Sequence, residues 1–206
     1  MDAPQYGWTV PPGYPLPELV DRIPDDQPLV LRHRASRFLA VFGSLYVGLP
    51  LSLFLCMYTA FFTMLDQDLD DIGWLGFMPG AIVVAGGLFQ LGIMLVAGLS
   101  GGPVLAANTD GVWVRARKWP ARSVFLPWPA VAHVYARRWL WDRPVCVLAH
   151  DTRAGADAGV WARIDMGAQK AMFGSRLTAS TFYCGRRADD VLAELHRLSG
   201  GRVRIG

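Results

Sequence analysis

The sequence predicts an α+β membrane protein: a two-helix transmembrane hairpin followed by a small basic domain of short strands and one closing helix. Three observations carry that expectation, namely the distribution of charge, two long uncharged runs, and a change of patterning after the second run. The 206 residues are 52% hydrophobic and only 18% charged, with a mean hydropathy of +0.26, whereas a typical soluble domain carries about 25% charge. Residues 1–37 hold four Lys or Arg and five Asp or Glu; residues 38–100 hold none and four; residues 101–206 hold sixteen and eight. Some sixty residues without a cation exclude a single soluble globular domain, a disordered chain and a disulfide scaffold.

Residues 1–31 contain half of the 14 prolines (Pro4, Pro11, Pro12, Pro15, Pro17, Pro24 and Pro28) and read as a disordered, Pro-rich cytoplasmic tail. Pro11-Pro12-Gly13-Tyr14 within it matches the PPxY pattern that aromatic grooves bind, although a solvated linker is the default for such a segment. No basic patch precedes a short apolar run, so the first span itself is expected to target the chain.

The region 32–100 is the hairpin. Its spans, 38–65 and 72–99, are each 28 residues without a charge, and about 20 suffice to cross a hydrocarbon core. Between them the acidic loop 66–71 contains Asp66, Asp68, Asp70 and Asp71 but no cation. Arg32, Arg34 and Arg37 precede the first span and the Arg-rich part follows the second. The positive-inside rule therefore puts both termini in the cytoplasm and the loop outside, in the inner or plasma membrane, with Trp74 at the outer interface. The loop's D-x-D-x-D lacks the Gly and Glu of a calcium loop, those positions being Asp71 and Phe77. Pro50 and Pro79 read as tolerated kinks. Small residues four apart (Ser44, Gly48, Ser52; Gly76 with Gly80; Ala81 with Ala85) point either to packing of the hairpin on itself or to a homo-oligomer seam.

In 101–206, residues 103–116 read as strand, turn, strand, with Thr109-Asp110-Gly111 supplying a positive-φ turn. Residues 123–139 hold a strand that breaks at Pro127-Trp128-Pro129 and resumes; 145–151, 159–166 and 175–184 are further strands, and 167–174 is either a turn or a helical fragment. A helix over 188–199 is marked by Val191, Leu192, Leu195 and Leu198 on one face, acids in its first turn and Gly200-Gly201 beyond its last.

The hairpin followed by T-D-G-V-W-V (109–114), F-L-P-W-P-A-V (125–131) and a closing helix resembles bacterial membrane proteins with a PH-like domain. That resemblance implies a curved sheet or β-barrel over 101–206, capped by the C-terminal helix and acting as a binding or scaffold module. It departs from the lipid-binding PH domains at the first strand–strand turn, where Asn108-Thr109-Asp110-Gly111 replaces their basic residues.

No catalytic, cofactor-binding or metal-ligating constellation is expected. Cys56, Cys146 and Cys184 form no C-x-x-C pair, and His33, His133, His150 and His196 lack ligand spacing. His150-Asp151 reads as a surface pair, and no phosphate loop or nucleophile elbow occurs. The expected contacts to anionic lipid head groups or to a protein partner are Arg32, Arg34, Arg37, Arg115, Arg117, Lys118, Arg122, Arg137 and Arg138. Nucleic acid is not expected as a partner, since charge alone would recommend it. The function so anticipated is a PH-like binding or scaffold module held at the cytoplasmic face, for protein partners, a second copy or anionic lipid. The alternative is a small accessory subunit of a transport or envelope complex, bound through its spans.

Overall fold

A computed structural model of the chain describes residues 16–65, 78–99, 102–117, 121–151 and 153–206. The Pro11–Tyr14 motif, the acidic loop, Trp74, Gly76 and Lys118 lie outside the described residues. The chain divides into two compact units: Arg34–Ser100, and a second made of Met1–His33 together with Gly101–Gly206.

In the first unit, α1 (Ala35–Gly43) passes through a π-helical turn (Ser44–Gly48) into α2 (Leu49–Leu65), and α3 (Met78–Leu99) packs back on all three. The first helix begins three residues before the expected span, with Arg37 inside it, because the Arg34 carbonyl already accepts the Phe38 N–H. The wide turn has a local cause. The Pro50 ring would crowd the carbonyl of Tyr46, four residues earlier, and the π turn holds that carbonyl. Apolar side chains such as Met57, Ile82 and Phe89 are exposed around both helices, which are long and apolar enough to cross a membrane.

The small residues pack the pair more selectively than their spacing implies. A Cβ on Gly87 would stand 2.1 Å from the Tyr46 carbonyl oxygen, so only Gly permits that backbone approach. Gly80 lies under the Phe54 ring and Gly98 under the Phe38 ring. Ser44 and Ser52 spend their hydroxyls on carbonyls of their own helix, and Ala81 and Ala85 are exposed.

The second unit contains two sheets around one core. A five-stranded antiparallel sheet has the order β1 (Glu18–Val20), β5 (Arg122–Pro127), β4 (Gly111–Arg117), β3 (Leu105–Ala107), β2 (Leu29–Leu31). The other has the order β8 (Leu177–Ala179), β7 (Val145–Ala149), β6 (Val131–Ala136), β9 (Arg204–Ile205), with β9 parallel to β6. Helix α4 (Val160–Phe173) packs on β4 and β8, and α5 (Ala188–Ser199) on β6 and β7.

Over residues 16–31, β1 and β2 correct the expected disordered tail, and with it the boundary at residue 101. These strands form both outer edges of the five-stranded sheet, pairing Leu19 with Val124 and Leu31 with Leu105. Four inter-strand spacings, about 19 Å, separate them. The eight residues 21–28 bridge that distance, burying Ile23 on the way. Domain 101–206 is therefore incomplete without residues 16–31.

Three further expectations change. The strand expected over 159–166 is helical from Val160 on: Val160, Ala162, Ile164 and Met166 alternate, but Ala162, Met166, Gln169 and Phe173 recur at helical spacing, with Gly159 and Gly174 bounding the element. The strand expected over 175–184 shrinks to β8, because Thr181 and the Phe182 N–H turn toward the Asp142 carboxylate. Gly111 has no positive φ. The turn is held by Asn108 Oδ1, which accepts from the N–H groups of Asp110 and Gly111, and Gly111 is needed because a Cβ there would meet the Leu126 carbonyl at 2.4 Å. Helix α5 forms over the expected residues with Val191, Leu195 and Leu198 buried, and Gly200 at φ +61° ends it.

Candidate functional site

The cationic residues singled out in the sequence have unlike surroundings where they are described. Arg32 Nη2 lies 2.6 Å from Asp25 Oδ1, and Arg122 Nε lies 3.4 Å from Asp21 Oδ1. Both acids belong to the connection between β1 and β2, so folding of that segment places its own carboxylates on these arginines. Such exposed pairs are worth about 0–1 kcal/mol each. Arg34 and Arg37 are exposed at the start of α1. Arg117 ends β4, opposite Arg122, beyond a bulge.

Arg115 is a structural residue, contrary to its expected role as a surface contact. Its side chain is buried, with Nε and Nη2 donating to the Pro103 carbonyl at 3.2 and 2.8 Å and Nη2 also to that of Gly102. Desolvation lowers its pKa. The guanidinium thereby fastens the chain where it enters β3, satisfying two carbonyls that strand pairing leaves over.

Arg137 and Arg138 remain on the surface, at the β6–β7 connection. Trp139 and Asp142 exchange both backbone hydrogen bonds, 2.8 and 2.9 Å, leaving Leu140 and Trp141 as a two-residue turn. All three apolar residues are exposed: Trp139 46%, Leu140 68% and Trp141 68%. Leu140 adopts φ +52°, a conformation that Asn or Gly fills at lower cost. The aromatic content of this turn is a signal the sequence reading does not use, although R-R-W-L-W-D-R over 137–143 sets two tryptophans between cations. Asp142 points inward, its carboxylate accepting the Phe182 N–H at 3.0 Å, and Arg143 pairs with Asp189.

Potential reactive groups are engaged structurally. Asp151 Oδ1 accepts the backbone N–H of Arg153 at 2.7 Å in a local turn, and the backbone N–H of His150 donates to the Ala130 carbonyl at 3.0 Å. Ser175 donates to the Val147 carbonyl and accepts from the Leu177 N–H beside a cavity of about 50 Å³ that Asp151, Lys170 and Arg176 also line. Burial pushes the Cys146 thiol up to about 11 and the Cys184 thiol up to about 12, and raises Tyr135 and Tyr183. Among the described residues, no three His, Cys, Asp or Glu side chains converge as a metal site.

Comparison with protein-family models, curated proteins and solved structures finds no match to this chain.

Proposed function

We propose that the chain is an integral membrane protein that presents a PH-like binding or scaffold module at the cytoplasmic face of the cell membrane, where it engages a protein partner or anionic lipid. The observation that carries this reading is the split β unit. β1 and β2 precede the first long apolar helix, β3 and β5 follow the second, and all four pair within one sheet. Strands cannot exchange hydrogen bonds across a bilayer, so the sequences flanking the two helices share one side of it. The basic charge balance of residues 101–206 supports the cytoplasm as that side. Two sheets closed by an amphipathic C-terminal helix support the PH-like assignment. The strands β1, β2 and β9 and the helix α4 elaborate the expected plan.

A second reading, an accessory subunit of a transport or envelope complex, draws on the hairpin's outer surface. Ala81 and Ala85 are exposed on α3, and nothing lies within 4 Å of a Cβ on Gly86, the kind of surface on which another membrane helix packs. Crosslinking in native membranes, followed by purification of the full chain, separates the two. Partners or lipids crosslinked to the β unit support the module; partners crosslinked only to residues 34–100 support the subunit.

A further inference from the structure

Two elements of the β unit together form an apolar surface ringed by cations. The first is the Trp139-Leu140-Trp141 turn. The second is the outward face of α4, where Trp161 is 72% exposed and Val160, Ile164 and Met172 are also exposed, while Ala162 and Met166 face the core. They adjoin at the C-terminal end of α4, where the Trp139 ring stands edge-on to half-buried Phe173 at 5.7 Å and the Tyr135 hydroxyl donates to the Phe173 carbonyl. We propose that this surface seats in the headgroup and upper acyl region of an anionic bilayer, an inference that rests on reading the chain as membrane-anchored.

The charges favour a bilayer over a protein as occupant. Arg137 and Arg138 flank the turn, and Arg163 and Lys170 are exposed on α4. Neither Arg137 nor Arg138 is ion-paired with a carboxylate among the described residues. The acids of both elements are turned away from this role: Asp142 binds the Phe182 N–H, and Asp165 is half-buried, taking the Gln169 amide. Exposed tryptophans with Arg and Lys beside them, and no exposed acid within either element (Asp157 is exposed just before α4), are the composition of an interfacial element. A protein interface core is instead depleted of charge. The turn also holds Leu140 at φ +52°, so its backbone is worse for having Leu and Trp where Asn-Gly would fit. The unit is held close to lipid by its own chain, only Arg32, His33 and Arg34 separating β2 from α1.

The test uses the full chain in nanodiscs of phosphatidylcholine with a minor share of phosphatidylglycerol. Nitroxide labels are placed at Trp141, Trp161 and, as a control on exposed Asp190, with the native cysteines replaced by Ala. The labels at 141 and 161 are expected to be shielded from an aqueous nickel relaxant and accessible to oxygen, while that at 190 stays aqueous. Arg137→Gln with Arg138→Gln lowers the docked-to-undocked ratio by roughly tenfold or more. Should the cysteine-free chain not fold, bromolipid quenching of the native chain is compared with the Trp139→Tyr, Trp141→Tyr, Trp161→Tyr variant. The quenched share of emission is expected to fall in the variant, and a rise would overturn the proposal. Labels at 141 and 161 as aqueous as that at 190 would also overturn it, as would labels immobilised yet shielded from oxygen, the signature of a protein partner. Labels that stay aqueous while both flanks map to the cytoplasm refute this docking alone and leave the membrane-anchored module standing.

Discussion

Leu31→Ala is the substitution that best separates an integral N-terminal segment from a tail. Leu31 is 1% exposed, pairs with Leu105, and its carbonyl accepts the Val104 N–H at 2.8 Å. Truncating a fully buried leucine costs about 2–5 kcal/mol, the transfer term plus the cavity left behind. A loss of about 3 kcal/mol lowers the Tm of a unit this size by roughly 10 °C. The control is Leu16→Ala, a site 73% exposed, where the change should stay within about 0.5 kcal/mol. Thermal unfolding of the detergent-solubilised full chain, followed by near-ultraviolet circular dichroism, reads both. Equal and negligible effects at the two sites would refute the reasoning, because a solvated tail predicts the same outcome for each. The same logic extends to removal of residues 16–31, which would bare Ile23, Leu29 and Leu31 contacts and uncover both edges of the sheet, at β3 and β5. Uncovered edges aggregate, so the fragment 101–206 is expected to be insoluble.

Other outcomes follow from individual contacts. Arg115→Met is expected to destabilise the β unit by about 2–4 kcal/mol, since it strands the Gly102 and Pro103 carbonyls, and Arg115→Lys to recover only part of this, lacking the forked donors; denaturant midpoints measure both. Cys146 and Cys184, at about 11 and about 12, should resist maleimide at pH 8 in the folded chain and react on unfolding. Because their folded pKa values lie above the unfolded value near 9, the native state holds more protons above pH 9. That contribution to stability is complete below pH 9 and is lost as pH rises toward 12, so Tm should fall more steeply over this range in the wild type than in Cys184→Ala. Gly87→Leu cannot be accommodated against the Tyr46 carbonyl and should separate the helices, which fluorescence transfer between labels on α1 and α3 would report as a lengthened distance.

What the sequence made legible depended on whether the cause was local. Helix α5 carried its whole specification in twelve residues: an apolar face at Val191, Leu195 and Leu198, acids at one end and a stopping Gly200. The two long apolar helices were legible for the same reason. β1 and β2 were not, because three-residue strands in Pro-rich chain owe their form to β5 and β3, some seventy-five to a hundred residues away. Helix α4 was hidden by alternation at Val160, Ala162, Ile164 and Met166 that fits either period over seven residues. Among the cations, Arg115 sits on the face of β4 opposite Val112, Val114 and Ala116, a pattern that reads as solvent. Its burial comes from the returning chain at Gly102 and Pro103. Arg137 and Arg138 were found, but their aromatic neighbours acquired meaning only when the turn put Trp139, Leu140 and Trp141 outside.

The central claim is that residues before and after the helical pair belong to one unit on the cytoplasmic side of the membrane. Cysteines introduced one at a time at Asp26, Asp68 and Asp190, in a chain carrying Cys56→Ala and keeping the buried Cys146 and Cys184, test it through labelling of intact cells with a membrane-impermeant maleimide. The account predicts labelling at 68 from outside and at 26 and 190 only after permeabilisation. Labelling of 26 and 190 from opposite sides, or of both from outside, would contradict it.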